Sequence, residues 1–186
     1  TKTDQKYVSR VLRIIGVGES SAEEMIQDLS EAQTNPTIAP YAKVNEVTFR
    51  VTAAAPSVEE AKSIMEPTIN ELYKRFGDNI YGEGAHTSLE QVLVNILKDK
   101  GLTVAVAESC TGGMLSSRIV DVPGASDVFL EGCITYSNNA KINRLGVNAE
   151  TLDKHGAVSQ ETAREMADGI QKSSGADIGI STTGIA

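Results

Sequence analysis

Tryptophan is absent from this 186-residue sequence, and Phe and Tyr together supply only 4% of it. With 40% of residues apolar, the core must be aliphatic, built from Val, Ile, Leu and Ala. That composition suits α/β layering better than an aromatic-packed β-sandwich. Cysteine is scarce: Cys110 and Cys133 are too few for a disulfide framework, and there is no four-ligand Cys/His cluster for zinc. Long apolar runs are missing too. None approaches the ~18 residues of a membrane span, and the polar opening TKTDQKYVSR lacks a secretion-signal core. The expected compartment is a reducing cytoplasm. Positive charge is in deficit, with a formal net charge of −8 and a pI near 4.8. Broad binding to nucleic acid or to an anionic membrane needs clustered Lys and Arg, so neither is an expected partner. A small anionic ligand held by a local site is compatible with this balance.

What is present is an alternation of strands and helices. Val8–Val17 (VSRVLRIIGV) alternates and is rich in β-branched residues, which predicts a strand. Ser20 and Ser21 ahead of AEEMIQDL, with Glu23 and Glu24 in the first turn, predict a helix. The two prolines of TNPTIAPYAK exclude a helix there and impose extended or turn geometry. Glu46–Ala55 predicts a strand, Val58–Phe76 a helix stopped by Gly77, and Asn79–Tyr81 a short strand, giving the order β-α-β-α-β. The small-residue stretch YGEGAHTS then marks a domain boundary near Gly82–Thr87, dividing the chain into residues 1–84 and 85–186. Charge does not distinguish the two halves.

The second half predicts a helix over Leu89–Lys100, capped by Ser88 and ended by Gly101, then a strand over Thr103–Ala107. A helix from about Gly113 to Val120, a strand over Val128–Tyr136 and a helix over Asn138–Leu145 follow. A turn through LGVNAETLDKHG leads to a helix over Ser159–Ser173 with Ser159 as N-cap, and a last strand over Asp177–Thr183. Unalternating apolar strands such as TVAVA and IGIS imply a mostly parallel sheet buried on both faces, a three-layer α/β/α arrangement. The chain stops where an apolar strand runs into STTGIA. An exposed sheet edge would invite pairing, so the expectation is a longer polypeptide, association with a segment that completes the fold, or a homo-oligomer.

In such sheets, ligands gather beyond the carboxyl ends of the strands. Three hydroxyl-rich segments lie there: AESCTGG, TYSNNAK and STTG. Ser109 is the candidate nucleophile. The G-x-S-x-G elbow and a recognisable Ser-His-acid spacing are both missing. Lys141 is the candidate base, provided partial burial lowers its pKa. The backbone N–H groups of Thr111, Gly112 and Gly113 would open the next helix and offer donors to a phosphate or an oxyanion. The plainer reading is that Ser109 and Thr111 only cap that helix. Cys110 neighbours Ser109 and should face the other way, as a small buried hydrophobe like Cys133. His155 reads as a turn residue, and Tyr136 as a half-buried ring whose hydroxyl could reach the cleft.

AESCTGG, GCITYSNNAK, LGV…HGAVSQETAREMA and STTGIA, in that order, resemble the C-terminal domain of the competence-damage-inducible (CinA) family. GVGES, TIAPYA, EVTFRVTA and IYG are similar to the family's KH-like middle domain. The resemblance implies a small α+β KH-like domain followed by an incomplete pyridine-nucleotide amidohydrolase domain. The implied reaction converts nicotinamide mononucleotide to nicotinic acid mononucleotide and ammonia, without metal or cofactor. It implies catalytic roles for Ser109, Lys141 and Tyr136, and substrate contacts for Glu108, Thr111, Gly112, Gly113, Thr183 and Gly184. Nothing here matches the family's molybdopterin-binding-like domain, so its ADP-ribose pyrophosphatase activity is not carried over. The competing reading is a nucleotide-binding or regulatory module without activity. Nucleic-acid binding through the first half is disfavoured, because IGVGES is spaced G-x-G and no GXXG loop joins two helices.

Overall fold

The computed structural model describes residues 5–43 and 46–185. The chain divides into two compact units, which meet in sequence between Leu89 and Glu90.

The first unit contains β1 (Lys6–Ile15), α1 (Glu19–Glu24), α2 (Gln27–Ala32), β2 (Thr37–Lys43), β3 (Glu46–Ala55), α3 (Val58–Phe76) and β4 (Ile80–Glu83). The strands form an antiparallel sheet in the order β2-β3-β1-β4. Period-two alternation turns Val47, Phe49, Val51 and Ala53 of β3 to one face, beside Leu12 and Ile14 of β1. Onto that face α3 lays Ala61, Met65, Ile69, Leu72 and Phe76 at helical spacing. Ser57 fixes the start of α3 by accepting from the Glu60 amide at 3.1 Å.

Two expectations for this unit change. The single helix after Ser20 is two short helices, and α1 is capped at Gly18 rather than at either serine. The chain breaks at Ile26 (φ −117, ψ 10), whose side chain is 1% exposed, so burying this Ile outweighs helix continuity. The proline-rich stretch becomes β2, an edge strand in which Pro40, lacking an N–H, is tolerated. The order is therefore β-α-α-β-β-α-β.

The second unit continues α4 (Leu89–Lys100) with β5 (Val104–Glu108), α5 (Met114–Val120), β6 (Phe129–Ile134), α6 (Asn138–Leu145), α7 (Ala149–His155), α8 (Gln160–Ser174) and β7 (Ile178–Thr182). Its sheet is parallel in the order β6-β5-β7. Every residue of central β5 is buried. Val104 and Val106 pack with Val94, Leu97, Ile119 and Val122 on the α4/α5 side. Ala105 and Ala107 pack with Leu145, Leu152, Met166 and Ile170 on the α6/α7/α8 side. This is the expected three-layer α/β/α arrangement. Gly179 allows the close contact of α8 with β7, because a Cβ there would stand 2.2 Å from the Ala167 carbonyl.

The sheet is not buried on both faces throughout. Edge strand β6 leaves Leu130 49% and Ile134 56% exposed. The stretch expected as a turn after Leu145 holds α7, capped by Asn148, which accepts from the Glu150 amide at 3.0 Å.

Candidate active site

Strand β5 delivers Glu108 and Ser109 to the carboxyl edge of the sheet, and both neighbouring strands lock them there. The Glu108 carbonyl accepts from the Thr135 amide at 2.7 Å, and the Ser109 amide donates to the Thr182 carbonyl at 3.0 Å. The chain then turns into α5 through Gly112 (φ +58) and Gly113 (φ +103). Positive φ strains an L side chain, and a Cβ on Gly113 would stand 3.0 Å from Ile134 Cδ1. The Gly-Gly pair thus answers a backbone demand.

Lys141 reaches this loop from α6. Ser137 caps α6 by accepting from the Ala140 amide at 3.1 Å, which starts the helix just past β6 and places Lys141 near its beginning. The Lys141 side chain is 1% exposed. Its Nζ donates to Ser109 Oγ at 2.9 Å, to the Thr135 carbonyl at 2.9 Å and to the Tyr136 carbonyl at 3.0 Å. Burial pushes the Lys141 pKa below its ordinary lysine value, while the nearby Cys110 thiol acts the other way. Two carbonyls can hold both hydrogens of a neutral amine and leave its lone pair facing the Ser109 hydroxyl.

Glu108 is fully buried. Its carboxylate accepts from the Gly113 amide at 3.0 Å, the Leu115 amide at 3.0 Å, the Ser116 amide at 2.8 Å and Ser116 Oγ at 2.6 Å. Burial alone would raise its pKa, but bonding from Ser116, Thr111 and the Ser116 and Leu115 amides outweighs it and holds the value at about 2. The carboxylate neutralises the start of α5, as an acid at a helix N-terminus should.

The CinA C-terminal domain family matches residues 86–186, and the KH domain of damage-inducible protein CinA matches residues 9–82. The chain belongs to the CinA family. A provisionally named competence-damage inducible protein of Clostridium acetobutylicum is 60% identical over 96% of this chain. One from Clostridium botulinum is 56% identical over 99% of it. The chain spans 43% and 45% of the lengths of these two relatives. Among solved structures, a competence/damage inducible protein from Agrobacterium tumefaciens aligns with TM-score 0.51 and 41% identity, over 52% of this chain and 59% of that one. A CinA superfamily protein from Escherichia coli aligns with TM-score 0.51 and 34% identity, over 52% of this chain and 56% of that one.

Within this CinA fold, the expected site residues separate into groups. Ser109 and Lys141 meet directly. Thr111 Oγ1 and Thr182 Oγ1 share a hydrogen bond at 2.6 Å, tying the loop to β7. Thr183 Oγ1 donates to the Ala157 carbonyl at 2.6 Å. Gly184 lies beside Cys110, since a Cβ there would be 3.2 Å from its Sγ. Three placements differ from expectation. Glu108 faces the start of α5 and presents no oxygen to a ligand. The Gly113 amide is bound to Glu108 and the Gly112 amide to the Ser109 carbonyl at 3.1 Å, so neither is a free donor. The amides of Cys110 and Thr111 have no acceptor among the described residues. The Tyr136 ring is 67% exposed rather than half-buried, and it is the Tyr136 carbonyl that holds Lys141.

Cys110 and Cys133 are both only partly buried rather than buried, with Cys133 packed against the α6/α8 side. His155 ends α7 with Nδ1 3.7 Å from Glu161 Oε1 and makes no bond to Ser109. Sequence reasoning passed over Thr135, Thr182 and Ser116. The first two sit inside the flagged hydroxyl-rich segments, whereas Ser116 carries no sequence signal beyond its place on α5. Among the described residues, no group of three or more His, Cys, Asp or Glu is placed to hold a metal ion, and no helix is long and apolar enough to cross a membrane.

Proposed function

We propose that this CinA chain carries an amidohydrolase site that converts nicotinamide mononucleotide to nicotinic acid mononucleotide and ammonia. The observation that carries the reading is the buried Lys141 Nζ at 2.9 Å from Ser109 Oγ, with two carbonyls orienting it. Neutral Lys141 takes the Ser109 proton as Oγ attacks the carboxamide carbon. The amides of Cys110 and Thr111 face the oxyanion of the tetrahedral adduct. The Lys141 ammonium returns the proton to the leaving nitrogen, ammonia departs, and Ser109 is left as an ester of the pyridine carboxylate. A water molecule, deprotonated by Lys141, then attacks that ester and restores the serine hydroxyl with release of the acid. No redox partner is consumed.

The test is ammonia release from nicotinamide mononucleotide by the full-length chain. Ser109→Ala should lower turnover by about 10³-fold or more with the fold intact, whereas Cys110→Ala should retain activity. Near-normal turnover by Ser109→Ala sinks the assignment, and loss in Cys110→Ala alone moves the nucleophile one residue along. A wild-type chain that binds the nucleotide but releases no ammonia favours the regulatory reading.

A further inference from the structure

The segment Lys154–Ser159 (KHGAVS) takes no part in the Ser109–Lys141 chemistry, yet its backbone is tightly held. Gly156 adopts φ 78 and ψ 169, a region open in practice only to glycine. Its carbonyl accepts from Ser159 Oγ at 3.0 Å and from the Oγ1 of fully buried Thr162 at 2.7 Å. The next carbonyl, that of Ala157, accepts from Thr183 Oγ1. Thr183 follows Thr182, whose own carbonyl takes the Ser109 amide. A continuous run of bonds therefore links the Ser109 loop to this turn. The turn also lies on the correct side. Lys141 rises from α6 and the turn enters α8, and both helices pack on the same face of the sheet. Ser109 Oγ is directed to that face by its bond to Lys141. Capping of α8 accounts for Ser159, which accepts from the Thr162 amide at 3.2 Å, but not for Val158. A residue just before an N-cap often packs down as a staple, whereas Val158 is left 53% exposed.

We infer that Gly156–Val158 is a preformed wall of the Ser109 site and that Val158 packs against the heteroaromatic ring of the substrate. This inference rests on the amidohydrolase reading: the dyad acts on the carboxamide, and the ring bearing it needs an apolar face beside the reacting carbon. A wall built on fixed backbone gives binding discrimination at little ordering cost. One aliphatic side chain against a ring contributes the same in ground state and transition state, so its loss acts on KM rather than kcat.

The experiment compares Val158→Asp and the isosteric Val158→Thr with wild type in the full chain. It measures ammonia release from nicotinamide mononucleotide and the rate at which a small alkyl fluorophosphonate labels Ser109. Val158→Asp should raise KM about tenfold and Val158→Thr about threefold, with kcat within about twofold. Ser109 labelling by the small probe, which has no ring to pack, should match wild type in both variants. An unchanged KM in both variants overturns the inference. So does a joint loss of kcat and labelling, because the residue would then support the loop rather than touch the ring. If wild type releases no ammonia, the amidohydrolase reading fails and the wall falls with it. An active wild type indifferent to Val158 overturns the wall alone.

Discussion

Lys141 and Glu108 are both buried ionisable side chains flanking Ser109, and their surroundings answer burial differently. Lys141 has burial against it and its pKa falls. Glu108 has donors enough to stay charged in spite of burial. The first difference bears on the proposed amidohydrolase chemistry. Arginine keeps the charge but cannot deprotonate, so Lys141→Arg should be nearly as inactive as Lys141→Ala in the ammonia-release assay. An active arginine variant would show that Lys141 only anchors charge. The second difference bears on stability. A carboxyl whose folded pKa lies below its unfolded value adds stability that is fully present above the unfolded value. That stability is lost as pH falls through the folded value. For Glu108 the loss runs from about pH 5 down to about 2, the folded value. The shift corresponds to something on the order of 3 kcal/mol. Glu108→Gln, which sets an amide N–H₂ against backbone donors, should cost about 2–3 kcal/mol at pH 7 and flatten the acid limb. Urea unfolding at pH 7 and pH 4 checks both parts, and a variant as stable as wild type at pH 7 would contradict the capping role.

Among elements, the turn from β5 into α5 and the segment leading out of β4 are joints held by several constraints at once. At the first, Gly113→Ala meets both a φ of +103 and Ile134 Cδ1, while Gly112→Ala meets a φ of +58 with nothing within 4 Å. The Gly113 substitution should therefore cost more, about 2 kcal/mol against about 1 for Gly112, as read from paired denaturant midpoints. At the second, Arg13 is 6% exposed. Its guanidinium donates to Tyr81 Oη at 2.8 Å and to the carbonyls of Gly84 at 3.3 Å and Ala85 at 3.0 Å, and pairs with Glu46 at 2.8 Å. Arg13→Met keeps much of the stem packing and removes these bonds. It should make the Gly84–Thr87 segment markedly more sensitive to limited proteolysis, and an unchanged cleavage pattern would show that Arg13 does not hold it.

For the whole molecule, the two units have separate cores. Phe49 and Phe76 meet edge to face in the first, with ring centroids 5.3 Å apart. Met166 and Ile170 lie at the centre of one side of the second. Phe49→Ala should remove about 3–5 kcal/mol from the first unit. It should lower one calorimetric transition and leave ammonia release intact below it. Met166→Ala should lower the other transition and carry the activity away with it. A single transition shifted equally by both substitutions would show that the units unfold as one.

Much of this protein is legible without coordinates. The bounds of Val58–Phe76, Leu89–Lys100 and Asn138–Leu145, and the cap at Ser159, follow from apolar spacing and from residues within one turn of each helix end. The strand-turn-helix around Ser109 follows in the same way, because Gly-Gly after a buried strand is a local requirement. Tertiary structure decided what local rules cannot reach. Ile26 broke a helix because the core needed its side chain. Pro40 could join a strand because that strand lies on an edge. Lys141 bonds Ser109 because β6 lies beside β5, so that α6 begins next to the Ser109 loop. Glu108 turned inward to α5 while Ser109, one residue on, turned to Lys141. Neighbours at a strand end face opposite layers, and only the strand order and helix placement determine which layer holds Lys141 and which the helix start that Glu108 caps.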